Sequence, residues 1–376
     1  MKTPLCELLG IEFPLFAFSH CRDVVAAVTN AGGFGVLGAS RHTPEELELE
    51  LKWIDEHVHG RPYGVDILIP ENMVGRDGSV DIETLRARVP ERHKEFVQAL
   101  LARYGVTLDL DDPRVAKREM PLLPAVSARL MDVAFSHPIK LIANALGVPP
   151  QSMIDRARAQ AVPVAALVGA KEHAIRQVQA GVDIIVAEGA EAGGHTGEVS
   201  TLVLVPEVIR AIQPIRPVPV LAAGGIADGQ GVAAAMAAGA AGGMLGTRFV
   251  ATEEADVHAE WSARLVAAWA ADTVLTGLFD GGWPGAPHRV LRNSTYRRWD
   301  EAGRPPPGSR PGEGDVVAQS GGIDIERYAA DEPRRDTTGE LEAMCLYAGR
   351  GVGRITSVEP AADVVSRIAS ELAAIR

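Results

Sequence analysis

One histidine stands in the stretch Ala187 to Glu198, AEGAEAGGHTGE, among four glycines and three glutamates, directly after the apolar run Val182-Asp183-Ile184-Ile185-Val186. A histidine in so bare a loop could serve a metal, a phosphate or a proton. A metal would need companion ligands, yet no other histidine lies within five residues of His195, and Glu188, Glu191 and Glu198 follow no recognised ligand spacing. No metal site is expected. An imidazole that titrates near neutrality is suited instead to taking a proton from a substrate carbon or oxygen, or to giving one. The plainer alternative is a solvated loop histidine with no task.

Two glycine-rich turns follow later in the chain, Ala222-Ala223-Gly224-Gly225-Ile226-Ala227-Asp228 and Met244-Leu245-Gly246-Thr247-Arg248, each closing an apolar run. Glycine lets the backbone approach a ligand closely, and backbone N–H groups beside a helix start hold phosphates well. Thr247 adds a hydroxyl, although either turn could also be a tight bend and nothing more. There is no P-loop motif, and Gly32-Gly33-Phe34-Gly35 precedes an apolar run rather than following one, so a dinucleotide fingerprint fails. His20, just past the first apolar run, and Asn144, at the end of the fourth, are further pocket candidates. Ser19, His20 and Cys21 are chain neighbours, which rarely point at one another, so a nucleophile with its base is not expected there.

Eight short apolar runs could carry these groups: residues 13–18, 33–39, 63–69, 139–146, 162–169, 182–189, 218–225 and 242–250. Their hydrophobicity is continuous rather than alternating, as in strands buried on both faces of a parallel sheet. Helical patterns lie between most of them, with starts such as Thr43-Pro44-Glu45-Glu46 and Asp228. Eight such units predict an α/β fold, a (β/α)8 TIM barrel. Its catalytic groups would sit at the C-terminal strand ends, where His195 and both glycine turns fall. Two segments interrupt the rhythm of this single domain over residues 1–376. Residues 70–137 read as a helical insertion, with helices near Ile82–Tyr104 and Pro113–Met131 around the acidic turn Leu108–Asp112. Residues 280–340 read as a loop-rich excursion in which Trp283 to Asn293 is a candidate cover for the pocket, ahead of a last helix over Pro360 to Ile375.

The chain has 376 residues, a formal net charge of -12 and no clustered basic face, which disfavours nucleic acid and anionic membranes as partners. No apolar run approaches membrane-span length and the start of the chain does not read as a signal peptide, so a cytoplasmic protein is expected. Three scattered cysteines fit neither a disulfide framework nor paired zinc ligands.

EGAEAGGHTG, the run PVPVLAAGGIADGQGVAAAMAAGAAGGMLGTRFV and the earlier AAVTNAGGFGVLGA together resemble the nitronate monooxygenase family, formerly 2-nitropropane dioxygenases, over most of residues 10–70 and 140–255. The resemblance implies an FMN-dependent (β/α)8 oxidoreductase acting on a small nitro compound with dioxygen; a homodimer is compatible with it. It implies His195 as the base that takes the α-proton of a nitroalkane or contacts the nitronate. Gly224, Gly225, Met244, Leu245, Gly246 and Thr247 match positions at the FMN phosphate. Asp66, Glu188, Gly193 and Gly194 match positions near the flavin. The chain departs from the family's pattern where Asp66, Glu188 and Met244 replace the usual amides and where Ala17-Phe18-Ser19-His20 replaces Ala-Pro-Met. FMN-dependent enoyl-acyl-carrier-protein reductases carry similar EGxEAGGH and AAGGIADG segments, and Glu188 leans that way. A non-catalytic FMN-binding barrel is the third reading.

Overall fold

The computed structural model describes residues 2–71, 90–103, 124–281 and 285–375. Eight parallel strands close into a barrel: β1 (Leu15–Ser19), β2 (Phe34–Gly38), β3 (Gly64–Asp66), β4 (Leu141–Asn144), β5 (Val164–Val168), β6 (Ile184–Glu188), β8 (Val220–Ala223) and β9 (Gly242–Leu245). The two-residue β7 (Gly194–His195) lies outside the ring. β9 returns to β1 with Leu15 opposite Gly243 and Ala17 opposite Leu245, so no edge is left open. All eight expected runs form these strands. The last is shorter than its apolar composition suggests, because Gly246 ends it and Thr247–Val250 turns as a short helix.

Side chains alternate across each strand, and this alternation decides which residues can reach the barrel interior. Phe16, Phe34, Leu141, Ala143, Ile184, Val186, Leu221, Ala223 and Met244 form the inner cluster. Leu15, Ala17 and Leu245 pack outward against the final helix Ala361–Ala374. Val65, Ile142, Ile185, Ala187, Val220 and Ala222 likewise face the helical shell. Continuing the inner phase by one step places Asp66 and Glu188 inward at the C-terminal ends of β3 and β6. The short helix Pro4–Leu9, capped by Thr3, adds Leu5, Cys6 and Leu9 to the inner cluster and plugs the far end.

Local sequence explains the helix starts. Thr43 and Glu46 make a reciprocal capping box on Pro44–His57, and the Asp228 side chain accepts from Gly231 N–H at 2.8 Å to start Gly229–Ala237. In the insertion, helices Glu91–Arg103 and Pro124–Ser136 are present. The rest of the expected Ile82–Tyr104 and Pro113–Met131 helices, and the acidic turn between them, lie outside the described residues, as does Trp283.

The excursion over 280–340 is more ordered than its proline and glycine content suggested. β10 (Thr273–Thr276), β11 (His288–Leu291) and β7 form one antiparallel sheet. β12 (Val316–Ser320), β13 (Ile323–Glu326) and β14 (Thr338–Gly339) form another, and helix Ser294–Glu301 is capped by Asn293. The β12–β13 hairpin turns at Gly321-Gly322, a local signal that the surrounding prolines and glycines masked, whereas the β11–β7 pairing is long-range and leaves no local trace.

Candidate active site

A cavity of about 1720 Å³ opens at the C-terminal ends of the barrel strands. His20, Asp66, Glu188, Gly193, Gly194 and His195 lie on its wall, as do Gly224, Gly225, Met244, Gly246 and Thr247. Two expected site residues do not. Leu245 is on the outer phase of β9 and 1% exposed, packed among helix side chains, so only its backbone is near the cavity. Asn144 is on the outer phase of β4: its Oδ1 accepts from Ile69 N–H at 2.8 Å, and its Nδ2 donates to the carbonyls of Ile69 and Gly147. With its amide engaged by backbone, Asn144 fastens the β3 and β4 loops together and is not a pocket residue. Met244 turns its side chain into the inner cluster.

The glycines shape a cradle. Gly224 and Gly225 have φ of +104° and +73°, a conformation that L side chains rarely adopt. A Cβ on Gly193 would come within 2.6 Å of Gly349 N, whereas one on Gly246 would meet nothing within 4 Å. Gly246 therefore borders open space that a ligand can fill. Thr247 Oγ1 accepts from Gly349 N–H at 3.0 Å, which leaves its O–H to donate. Gly349 and Gly351 also line the cavity, and a Cβ on Gly351 would clash with Gly225 O at 2.6 Å. This third turn was missed in the sequence, although Gly349-Arg350-Gly351-Val352-Gly353 carried the needed clue.

His195 is held by pairing between β7 and β11, with His195 opposite His288. The His288 ring meets His195 edge-on at 5.3 Å, and the Tyr347 ring lies 6.0 Å from it. His288 is wholly buried; its Nε2 accepts from Phe279 N–H and its Nδ1 is 3.0 Å from Ala286 O. Because a carbonyl can only accept, His288 is neutral with its proton on Nδ1, and both nitrogens are engaged. It shapes the site and handles no proton. Burial, with a smaller contribution from His288, lowers the His195 pKa to about 4, below the near-neutral titration expected from its residue type. His195 is therefore unprotonated at neutral pH and is a weaker proton acceptor than a free imidazole.

His20 lies against Gly38, donating from Nδ1 to the Gly38 carbonyl at 2.9 Å and meeting the Phe18 ring edge-on. Burial, then the charge of Arg41, lowers its pKa to about 3, so it too is neutral. Cys21 donates its thiol to Glu254 O, and burial raises its pKa, which is the opposite of what a nucleophile needs. Asp66 and Glu188 behave in reverse. Burial raises Asp66 to about 7, and burial together with the Asp66 charge raises Glu188 to about 8. The two carboxyls therefore do not carry two full charges at neutral pH.

A family model described as nitronate monooxygenase matches residues 2–371. The chain belongs to the nitronate monooxygenase family. A Mycobacterium tuberculosis relative, Rv1533, provisionally named a monooxygenase, is 45% identical over 373 residues, covering 99% of this chain and 96% of that one. FabK from Thermotoga maritima superposes with a TM-score of 0.70 at 27% identity, covering 99% of this chain and 96% of that chain. Nitroalkane oxidase from Streptomyces ansochromogenes does so with a TM-score of 0.70 at 27% identity, covering 98% of each chain. As a member of the nitronate monooxygenase family, the protein is a flavin-dependent oxidoreductase.

The site fits a flavin. Three glycine turns converge on open space at Gly246, and Asp66 Oδ1, buried in the wall, has no hydrogen-bond partner among the described residues. Among the described residues no group of three or more His, Cys, Asp or Glu stands together as a metal site, and no helix is long and apolar enough to cross a membrane.

Proposed function

We propose that the protein binds FMN and oxidises an alkyl nitronate or its parent nitroalkane with dioxygen, with His195 as the base. The observation that carries this reading is His195 itself, held neutral on the cavity wall beside His288 and Tyr347. FMN is favoured because the turns at Gly224-Gly225, Gly246-Thr247 and Gly349–Gly351 lie together on the cavity wall, with open space at Gly246 for a terminal phosphate. Gly32-Gly33-Phe34-Gly35, the run weighed as a dinucleotide fingerprint, leads into β2, with Phe34 and Gly35 buried in that strand.

When bound, the flavin accepts electrons from the substrate and passes them to dioxygen. The chain supplies position and proton handling. Backbone N–H groups of the turns and the Thr247 hydroxyl hold the phosphate. His195 receives the α-proton of a neutral nitroalkane on an imidazole nitrogen, and the resulting imidazolium is stabilised by the anion formed beside it. A nitronate arrives already deprotonated and needs no base, only orientation. The apolar inner cluster under the mouth, including Met244 and Val186, keeps water from the floor.

A reductive reading is retained because FabK superposes as well as nitroalkane oxidase does. Against it, carboxylates outnumber guanidinium groups along the cavity wall, Glu46, Glu50, Glu253, Glu254 and Asp256 among them. Such a rim repels a pyrophosphate or a phosphopantetheine arm more than it repels a small monoanion. Anaerobic mixing of the yellow protein with a nitronate, NADH or NADPH tests the choice. Bleaching by nitronate alone supports oxidation, and bleaching by a nicotinamide alone overturns it in favour of a reductase.

A further inference from the structure

Asp66 and Glu188 end strands three places apart around the closed barrel, both on the inward phase and both on the cavity wall. Asp66 is 4% exposed with its Oδ1 unpartnered. Among the described residues no cation shifts either carboxyl: burial alone perturbs Asp66, and burial with Asp66 itself perturbs Glu188. On the β5 side, Arg176 of the following helix is paired with Glu71. On the β2 side, the Gly38 carbonyl is taken by neutral His20, and Arg41 beyond it is paired with Glu332. On the β4 side, the Asn144 amide is engaged by backbone. Past β6 stand His195 and His288, both held neutral by burial, with the Tyr347 phenol raised by burial behind them.

Two carboxyls within electrostatic reach in a poorly solvated wall cannot both ionise cheaply, so one retains its proton. We propose that Asp66 and Glu188 act as a proton-holding carboxyl pair that presents an O–H into the cavity that the proton acceptor His195 also lines. A protonated carboxyl offers one donor and one acceptor, as an amide does, and so can meet a flavin carbonyl or a nitronate oxygen where an ionised carboxylate would repel it. The usual order of affinities is inverted here, with the imidazole near 4 and the carboxyls near 7 and 8. Separation of that kind is what assigns a base and an acid within one site. The shared proton is a property of the protein alone, whereas its use toward a ring rests on the flavin reading above.

Infrared difference spectroscopy of the full chain, titrated from about pH 6 to about pH 10, reads the pair directly without activity. The wild type is expected to show a carboxylic-acid carbonyl band that fades through this window. Glu188→Gln with Asp66→Asn abolishes it, and Asp66→Asn alone moves the remaining Glu188 transition to lower pH, because the like charge is gone. FMN titrations on the same samples read the use of the proton: the wild-type dissociation constant rises at least about tenfold from pH 6 to pH 9, while the double variant changes less than about threefold. Absence of the band at pH 6, or the same pH dependence of FMN binding in wild type and double variant, overturns the proposal. A titrating band in a protein that takes up no FMN at any pH supports the pair and sinks the flavin reading. FMN uptake without the band does the reverse.

Discussion

Replacing Glu188 by glutamine removes one ionisable proton at nearly constant shape, and its effect on stability follows from the site. In the unfolded chain this carboxyl ionises near 4.5, and in the folded protein near 8. Between those values the unfolded state holds fewer protons than the folded one, so stability falls as pH rises through the window and levels off above it. At about 1.36 kcal/mol for each pH unit, the full gap corresponds to roughly 4–5 kcal/mol, an upper bound. Water drawn into the cavity as the carboxyl ionises reduces the cost to the order of 2–4 kcal/mol. Glu188→Gln carries no such penalty. Equilibrium urea denaturation of flavin-free wild type and variant at several pH values checks this, and only the difference between the two proteins is informative. Other groups, His195 and His20 among them, have lowered pKa values and add stability as pH rises in the acid range. The variant's advantage should be small near pH 4.5 and grow by at least about 2 kcal/mol by pH 9. A difference that stays flat over that range would show that Glu188 ionises freely when folded and would refute the burial argument.

His195→Asn should cost roughly 100-fold or more in kcat/KM for a neutral nitroalkane but little for a preformed nitronate; equal losses on both would remove the base role. In the wild type, kcat/KM for the nitroalkane should fall only as pH drops toward about 4, well below the range of an ordinary imidazole. Gly246→Val should weaken FMN binding at least about tenfold with little change in melting temperature, because the new side chain enters open space in the cradle. Asn144→Ala should destabilise by about 1–3 kcal/mol, stranding Ile69 N–H in the interior, with KM unchanged.

The barrel was legible because strands buried on both faces announce themselves as unbroken apolar runs, and eight of them have few other ways to close. The site was legible in part for the same reason, since His195, Gly225 and Gly246 each stand just past a strand. Leu245 and Asn144 were misplaced although the sequence held the means to place them. Each is one residue out of phase with an inner neighbour, Met244 or Ala143, and a step of one turns a side chain to the opposite face. His288, Tyr347 and the turn at Gly349–Gly351 could not be placed that way, because they reach the mouth through long-range pairing of β11 and loops that no local pattern encodes. Asp66 and Glu188 were legible as departures from the family's usual amides. Their burial at inward strand ends is what the proposed proton-holding pair rests on.

The most direct test of the central claim is an anaerobic stopped-flow record of flavin absorbance after the purified protein is mixed with propionate 3-nitronate, in parallel with NADH and NADPH. The account predicts bound FMN that is bleached by the nitronate, recovers on admitting dioxygen and is left oxidised by either nicotinamide. Flavin bleached by NADH or NADPH and untouched by the nitronate would contradict it.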